Sequence, residues 1–213
     1  MSNYLIFDFD GTIANTYPFM FDLFNKTESR FKRDEFKFED IHSKGLLTLK
    51  DELSKKDKAI SAYLLWRSKR IFKKETASLD LSFIPVFEGL SVVLEKLSKN
   101  NFLGILTSNN EDFVNGFLNA HGLSDYFGFI KCDSSFFGKH KNLNNVCDEF
   151  NLPKNRVFYV GDEDRDVLAA KKARVGSVAV SWGFNSENVL KKYKPDYLLN
   201  SPDELLKFLA DKI

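Results

Sequence analysis

The sequence has few of the residues and patterns that mark several protein classes. Its only two cysteines, Cys132 and Cys147, are far apart and lack the close spacing of metal-binding or redox-active pairs. We therefore expect both to be buried thiols in a reducing compartment, and so a cytoplasmic protein. The N-terminus has no basic region before its first apolar run, which argues against a signal peptide. No apolar run approaches the ~20 residues that a membrane helix needs.

A strong charge of either sign is also missing. The 31 Lys and Arg residues nearly balance the 30 Asp and Glu residues, which leaves a formal net charge of +1. Such a balance gives no general attraction to nucleic acid or to an anionic membrane surface. We therefore expect neither as a partner, and we take a monomer as the default state.

Apolar residues are plentiful and ordered. They make up 43% of the chain and include 22 phenylalanines, enough for a large core. After residue 85, short β-rich runs alternate with amphipathic helical patterns. The predicted strands of this part are residues 102–106, 127–132, 157–160, 177–180 and 197–199. The alternation predicts an α/β fold with a doubly wound, parallel, Rossmann-like sheet.

The strand pattern is interrupted between residues 16 and 84. Here apolar residues recur at helical spacing, as in Met20, Leu23 and Phe24. We predict a small all-helical domain over residues 16–84, inserted after the first strand. The α/β core is then formed by residues 1–15 and 85–213.

The first apolar run ends in Asp-Phe-Asp-Gly-Thr at residues 8–12. Because successive strand side chains point to opposite faces, Asp8 and Asp10 are predicted to project together, away from Phe7. Two like charges in one small space are unfavourable unless a cation lies between them or one carboxyl keeps its proton. Gly11 permits a sharp exit from the strand. The pattern indicates a catalytic strand end, with an Asp-Gly hairpin turn as the alternative.

Further polar side chains follow the later strands. They are Thr107, Ser108 and Asn109 after one strand, Asp162 and Asp166 after another, and Lys139 at the start of a helix. In open parallel sheets, ligands bind beyond the carboxyl ends of the strands, so these residues are expected to converge. They supply hard oxygen ligands for a divalent cation and donors for a phosphate.

Several of these residues have plainer interpretations. Thr107 and Ser108 could cap the helix that begins near residue 110. Lys141 is close enough to take the place of Lys139. Asp164 and Arg165 are expected to be an exposed turn pair. The three histidines are scattered, and none is assigned to metal binding or to acid–base chemistry.

Four motifs in this order resemble those of the haloacid dehalogenase-like hydrolase superfamily, in its phosphatase branch. They are Asp-Phe-Asp-Gly-Thr at 8–12, Thr-Ser-Asn at 107–109, Phe-Gly-Lys at 137–139 and Gly-Asp-Glu-Asp-Arg-Asp at 161–166. Residues 159–170, with Trp-Gly-Phe at 182–184, further resemble phosphoglycolate phosphatase-like members. The resemblance implies that the helical insertion is the cap domain of that family.

The resemblance also implies a two-step phosphoryl transfer that depends on magnesium. Asp8 would attack phosphorus and form an aspartyl-phosphate, while Asp10 would protonate the leaving group and then activate water. Mg²⁺ would be held by the Asp8 carboxylate, the Asp10 backbone carbonyl and Asp162, with Asp166 acting through water or through another ligand.

The phosphate-binding residues implied by the resemblance are Thr107, Ser108, Asn109 and Lys139. Ser108 and nearby backbone amides would hydrogen-bond the phosphoryl oxygens, and Lys139 would balance their charge. The substrate would be a small phosphorylated metabolite, with phosphoglycolate one possibility. Specificity would lie in the insertion, where Tyr17, Lys44-Gly45, Arg67 and Arg70 are candidates.

Two other functions use comparable features. A sugar phosphomutase has the same core, with a cap that holds a bisphosphate intermediate. Outside enzymes, a phospho-acceptor receiver or binding domain also presents an aspartate on a doubly wound sheet. Such a domain would lack the helical insertion and the second carboxylate at Asp10.

Overall fold

The computed structural model of the protein describes residues 3–28, 39–45, 47, 48, 79–132 and 138–210. Its strands are β1 Tyr4–Phe7, β2 Phe102–Leu106, β3 Phe129–Lys131, β4 Val157–Gly161, β5 Gly176–Val180 and β6 Tyr197–Leu199. Its α-helices are α1 Tyr17–Glu28, α2 Glu39–Lys44, α3 Leu90–Ser98, α4 Glu111–Ala120, α5 Lys139–Glu149, α6 Asp164–Ala173, α7 Glu187–Lys192 and α8 Glu204–Ala210.

The strands form one parallel sheet in the order β3-β2-β1-β4-β5-β6. β1 lies inside the sheet, where Tyr4 is opposite Phe102 on one side and Val157 on the other. Parallel neighbours require crossover connections, which the intervening helices supply. The predicted doubly wound α/β fold is therefore confirmed, and β1 is in the position where residues beyond its end meet those from β2 and β4.

The helices cover both faces of the sheet. Leu5 and Phe7 of β1 belong to a core cluster that α3, α4 and α8 complete, whereas Ile6 belongs to a second cluster with α5 and α6. Burial on both faces explains why the strands are continuously apolar in sequence. Phe9 continues the first cluster, so the alternation predicted for residues 7–10 holds.

Several element boundaries differ from the sequence prediction, and two of the differences have a clear cause. β3 begins at Phe129 rather than at residue 127, because the Phe127 N–H closes a 3₁₀ turn on the Ser124 carbonyl at 3.3 Å. The sequence predicts a helix over residues 167–173, whereas α6 begins at Asp164, because Glu163 and Asp166 form a reciprocal capping box. The prediction of an exposed turn at Asp164 is wrong, since its side chain is fully buried.

The inserted segment is described only in part. α1 and α2 are helical, as the pattern between residues 16 and 84 predicts. Residues 49–78, including Arg67 and Arg70, lie outside the described part of the chain, so the domain boundaries stay a prediction. Among the described residues, no helix has both the length and the apolar character needed to cross a membrane.

A substitution at Phe117 tests the packing of the core cluster that contains Leu5 and Phe7 of β1. The Phe117 ring has no solvent exposure and packs edge-on against Phe9, with 5.1 Å between centroids. We expect Phe117→Ala to lower the free energy of unfolding by about 3–5 kcal/mol, measured by urea denaturation, because it leaves a cavity. Phe83 is 80% exposed and serves as the control, so Phe83→Ala should change stability by less than about 0.5 kcal/mol. Equal losses in both variants would contradict this packing.

Candidate active site

Asp8 lies directly beyond β1 and is paired with a lysine. Its backbone N–H donates to the Val160 carbonyl of β4 at 2.8 Å, which fixes the residue between strands. Its carboxylate Oδ2 lies 2.6 Å from Nζ of Lys139, and both side chains are almost fully buried. A buried carboxylate is stable only with such a partner.

Lys139 is held by a second carboxylate as well. Its Nζ donates to Asp166 Oδ1 at 2.8 Å and lies 5.6 Å from the ring centre of Tyr159. The other Asp166 oxygen accepts the Glu163 N–H at 3.1 Å, as part of the cap that starts α6. The capping box therefore orients Asp166, which in turn orients Lys139 toward Asp8.

Asp162 lies at the end of β4 and is fully buried. Its Oδ1 accepts the Thr12 hydroxyl at 2.7 Å, and its Oδ2 accepts the Phe184 N–H at 2.7 Å. Both contacts come from residues far away in sequence. Asp162 is therefore fixed to the loop after β1 and to the loop after β5.

Asp10 is held from the opposite side of the site. The Asn109 amide nitrogen lies 3.2 and 3.1 Å from the two Asp10 oxygens. Asn109 is buried, whereas Asp10 is partly exposed. The motif after β2 thereby contacts the motif after β1, and Asp10 keeps access to solvent.

The Thr-Ser-Asn turn does not cap helix α4. Thr107 is fully buried and its hydroxyl accepts the Asn109 N–H at 3.0 Å, which shapes the turn. The helix is capped by Asn110, whose side chain accepts the Phe113 N–H at 2.9 Å. Ser108 lies between them and is partly exposed. The capping interpretation of Thr107 and Ser108 is therefore wrong.

Two glycines let the loops of the site approach one another. Gly11 has φ +76°, and a Cβ on it would lie 2.2 Å from Asp162 Oδ2. A Cβ on Gly183 would lie 2.2 Å from the Gly11 carbonyl oxygen. Any larger residue at either position would push the loop after β1 away from Asp162.

Burial is the largest cause of the pKa shifts of the three aspartates described next. It raises the pKa of Asp8 to about 6, although the Lys139 charge opposes the increase. Burial, followed by the negative charge of Asp8, also raises the pKa of Asp10 to about 6. The pKa of Asp162 is raised well above its ordinary value, again mainly by burial. For Lys139, burial disfavours the charged form, but Asp166 and Asp8 raise its pKa overall.

Three of these carboxylates form a cluster that could hold a cation. One oxygen from each of Asp8, Asp162 and Asp166 lies within 4.8 Å of the others, and all three residues are buried. Carboxylate oxygens are the ligands that Mg²⁺ prefers. A cation here would relieve the repulsion that raises the pKa values of Asp8 and Asp162.

The structure brings the predicted residues to one edge of the sheet. Lys139 is the lysine at the site, whereas Lys141 is exposed two residues further along α5. Tyr17 packs on Phe184 with ring centres 5.5 Å apart, and Lys44 pairs with Asp40 at the surface.

Other residues at the site were not predicted. Glu163 is buried and forms an ion pair with the partly buried Arg165, so the expected exposed position of Arg165 is wrong. Trp182 donates its indole N–H to the Thr12 carbonyl at 3.2 Å. Asn185 accepts the Asp164 N–H at 2.8 Å. The sequence gives no periodic signal for such loop-to-loop contacts; the charged residues after β4 and the resemblance at 182–184 marked the region without assigning these contacts.

Comparison with known families agrees with this arrangement. Residues 5–180 match the family model described as haloacid dehalogenase-like hydrolase. The chain belongs to this family. The match extends from β1 to the end of β5, so all four motifs lie within it, and the predicted family is confirmed.

Two relatives with assigned names match nearly the whole chain. A phosphoglycolate phosphatase from Synechococcus elongatus is 30% identical over 206 residues, which cover 95% of each protein. A pyrophosphatase from Bacillus cereus is 25% identical and covers 98% of this chain and 97% of the relative. The first relative confirms the predicted resemblance to phosphoglycolate phosphatase-like members.

Solved structures show the same fold. A predicted phosphatase from Clostridium acetobutylicum superposes with a TM-score of 0.80, with 99% of each chain covered and 21% sequence identity. At this identity the likeness concerns the fold alone.

Lys139→Met tests the charge balance of the site. Without the ammonium, Asp8 and Asp166 are buried and unpaired, so the free energy of unfolding at pH 7.5 should fall by about 3–5 kcal/mol in the absence of metal. The loss should be smaller at pH 5. The pKa of Asp8 is already raised to about 6, and without Lys139 it rises further, so Asp8 is protonated in the folded variant at pH 5.

The exposed Lys141 provides the control. Lys141→Met should change the free energy of unfolding by less than about 0.5 kcal/mol at both pH values. Urea denaturation of the two variants at pH 5 and pH 7.5 measures all four differences. A Lys139→Met loss that is the same at both pH values would show that the Asp8 charge is not its cause.

Proposed function

We propose that the protein is a magnesium-dependent phosphatase that hydrolyses small phosphate monoesters through an aspartyl-phosphate at Asp8. One observation carries the proposal: Asp8 is buried and paired with Lys139, whereas the neighbouring Asp10 is partly exposed and held by the Asn109 amide. Asp8 and Asp10 therefore have different environments, which suits one to attack and the other to transfer a proton.

Asp8 is suited to be the nucleophile. Lys139, 2.6 Å away, favours its ionised form and would balance the charge of an incoming phosphoryl group. The backbone hydrogen bond to Val160 fixes its position. Such a group can attack phosphorus in line and divide hydrolysis into two displacements.

Asp10 is suited to be the general acid and then the general base. Its pKa of about 6 leaves part of the population protonated near neutral pH, as a group that donates and then recovers a proton requires. The Asn109 amide holds both carboxyl oxygens, so the side chain has a defined direction. Because Asp10 is partly exposed, a leaving group and then a water molecule can reach it.

The described residues fit a magnesium ion. Asp8 and Asp162 would supply carboxylate oxygens, together with the Asp10 backbone carbonyl. Asp166 orients Lys139 and takes part in the cap that starts α6, which favours an indirect role for Asp166. When bound, the ion supplies positive charge that stabilises the phosphoryl oxygens.

The phosphate would lie between Asp8 and the turn after β2. Ser108 supplies the partly exposed hydroxyl of that turn, and Thr107 and Asn109 shape the turn. We place the phosphoryl contacts on Ser108, on backbone amides near Asn109 and on Lys139. Hydroxyl, amide and ammonium donors aimed at one position are the usual means of stabilising a phosphoryl group.

The substrate class follows from the relatives by analogy. One is named a phosphoglycolate phosphatase and another a pyrophosphatase, and both names describe small anionic phosphorylated compounds. We propose a small phosphorylated metabolite, with phosphoglycolate the first to test and pyrophosphate the second. The cytoplasmic location and the monomeric state stay predictions.

Phosphate release from p-nitrophenyl phosphate, phosphoglycolate, pyrophosphate and sugar phosphates tests the proposal. We expect release with Mg²⁺, loss of release with a chelator, and recovery when Mg²⁺ is restored. Asp8→Asn should lower kcat by about 10⁴-fold or more, because the nucleophile is removed. Asp196→Asn, beyond the opposite edge of the sheet, is the control and should keep the parent activity.

Two results would contradict the proposal. Full turnover by Asp8→Asn would remove the assigned nucleophile. Interconversion of sugar phosphates without net release of phosphate would instead favour the phosphomutase alternative.

A further inference from the structure

Asp164 is a fully buried carboxylate that lies outside the proposed metal cluster. Its Oδ2 accepts the Leu47 N–H at 3.1 Å, and its Oδ1 accepts the Arg165 N–H at 2.8 Å. The Tyr193 side chain also hydrogen-bonds to it. One of these donors, Leu47, belongs to the inserted segment, 117 residues away in sequence.

Gly45, two residues before Leu47, lies close to the Asp164 carboxylate. Gly45 is buried with φ +84°, a conformation that favours glycine. A Cβ at this position would lie 2.5 Å from Asp164 Oδ2 and 2.8 Å from Val189 of α7. The absence of a side chain at Gly45 therefore allows the inserted segment to reach Asp164.

A second set of contacts holds the same segment. The His42 carbonyl accepts the Ser186 N–H at 3.0 Å, and His42 Nδ1 lies 3.0 Å from the Phe184 carbonyl oxygen. α2 also packs against α7. Because α2 has only six residues, it depends on these contacts for its stability.

The loop that receives these contacts also holds Asp162. Phe184 donates its N–H to Asp162 Oδ2 at 2.7 Å, and Asn185 donates its N–H to the Asp162 carbonyl at 3.3 Å. The Asn185 side chain in turn accepts the Asp164 N–H at 2.8 Å. Residues 184–186 thus join the inserted segment to the residue proposed to hold the metal.

We propose that Asp164 is a positioning residue that attaches residues 42–45 and 47 of the inserted segment to the loop that orients Asp162. We name these contacts the Asp164 clasp: Asp164 with Leu47 and Gly45, and His42 with Phe184 and Ser186. The clasp holds this described part of the insertion against the loop after β5. The expected effect of the clasp on substrate binding rests on the proposed function. Its expected effect on hydrogen exchange in the inserted segment does not.

Hydrogen exchange measured by mass spectrometry tests the clasp directly. Asp164→Leu keeps the branched shape of the side chain, with larger methyl groups in place of the oxygens, and removes both acceptors. We expect the peptide covering residues 39–48 to exchange about tenfold faster in this variant, because a buried hydrogen bond to a carboxylate is lost. Peptides from α4 should exchange as in the parent protein.

Two further variants distinguish loss of the clasp from general unfolding of the protein. Asp164→Asn keeps one acceptor and should give an intermediate rate. Gly45→Ala breaks the clasp from the inserted side and should accelerate the same peptide. Since both changes remove one contact, Asp164→Leu combined with Gly45→Ala should exchange no faster than Asp164→Leu alone.

Asp196 supplies a matched control. Its carboxylate also joins two distant segments, accepting the Ser177 N–H at 2.8 Å and the Ser177 hydroxyl at 2.7 Å, beyond the opposite edge of the sheet. Asp196→Leu should leave exchange of residues 39–48 unchanged. Parent-like exchange of this peptide in Asp164→Leu and Gly45→Ala, or the same acceleration in Asp196→Leu, would overturn the clasp.

Kinetics test the positioning role. With p-nitrophenyl phosphate, Asp164→Asn should raise KM about fivefold or more and change kcat by less than about twofold, because the reacting groups stay in place. An unchanged KM beside faster exchange would overturn the positioning role. If the parent protein releases no phosphate, the proposed function fails, and the exchange experiment still decides whether the clasp exists.

Discussion

Buried negative charge around one ammonium group is the constraint on which the site depends. Asp8 and Asp166 both contact Lys139, and all three side chains are almost fully removed from water. Such a group is stable only if every charge has a partner at close range. The capping box of α6 and the first turn of α5 provide that geometry, so the helices position the chemistry as well as complete the fold.

The excess of buried negative charge also explains why the site could bind a cation. Asp162 adds a third buried carboxylate, and burial raises its pKa and that of Asp8. One lysine does not neutralise three carboxylates. A divalent ion would restore the balance and hold the loops after β1 and β4 together.

Prediction from sequence succeeded where local pattern decides structure. Continuous apolar runs predicted the strands, and the alternation around Phe7 placed Asp8 away from the phenylalanine cluster. It failed at Asp164, because a carboxylate in an acidic hexapeptide has no local sign of burial. Its burial depends on an amide from Leu47 and on the side chain of Asn185, which no periodicity connects to it.

The sequence by itself determined the family, the parallel sheet and the identity of the polar residues at the strand ends, because strand period and motif order are local properties. The tertiary structure decided which of two nearby lysines meets Asp8 and which loop fixes Asp162. It also decided where the inserted segment attaches. These outcomes depend on hydrogen bonds between residues that are, in cases such as Thr12 with Asp162 and Leu47 with Asp164, more than a hundred positions apart in sequence. Only the packed chain brings such groups within hydrogen-bonding distance.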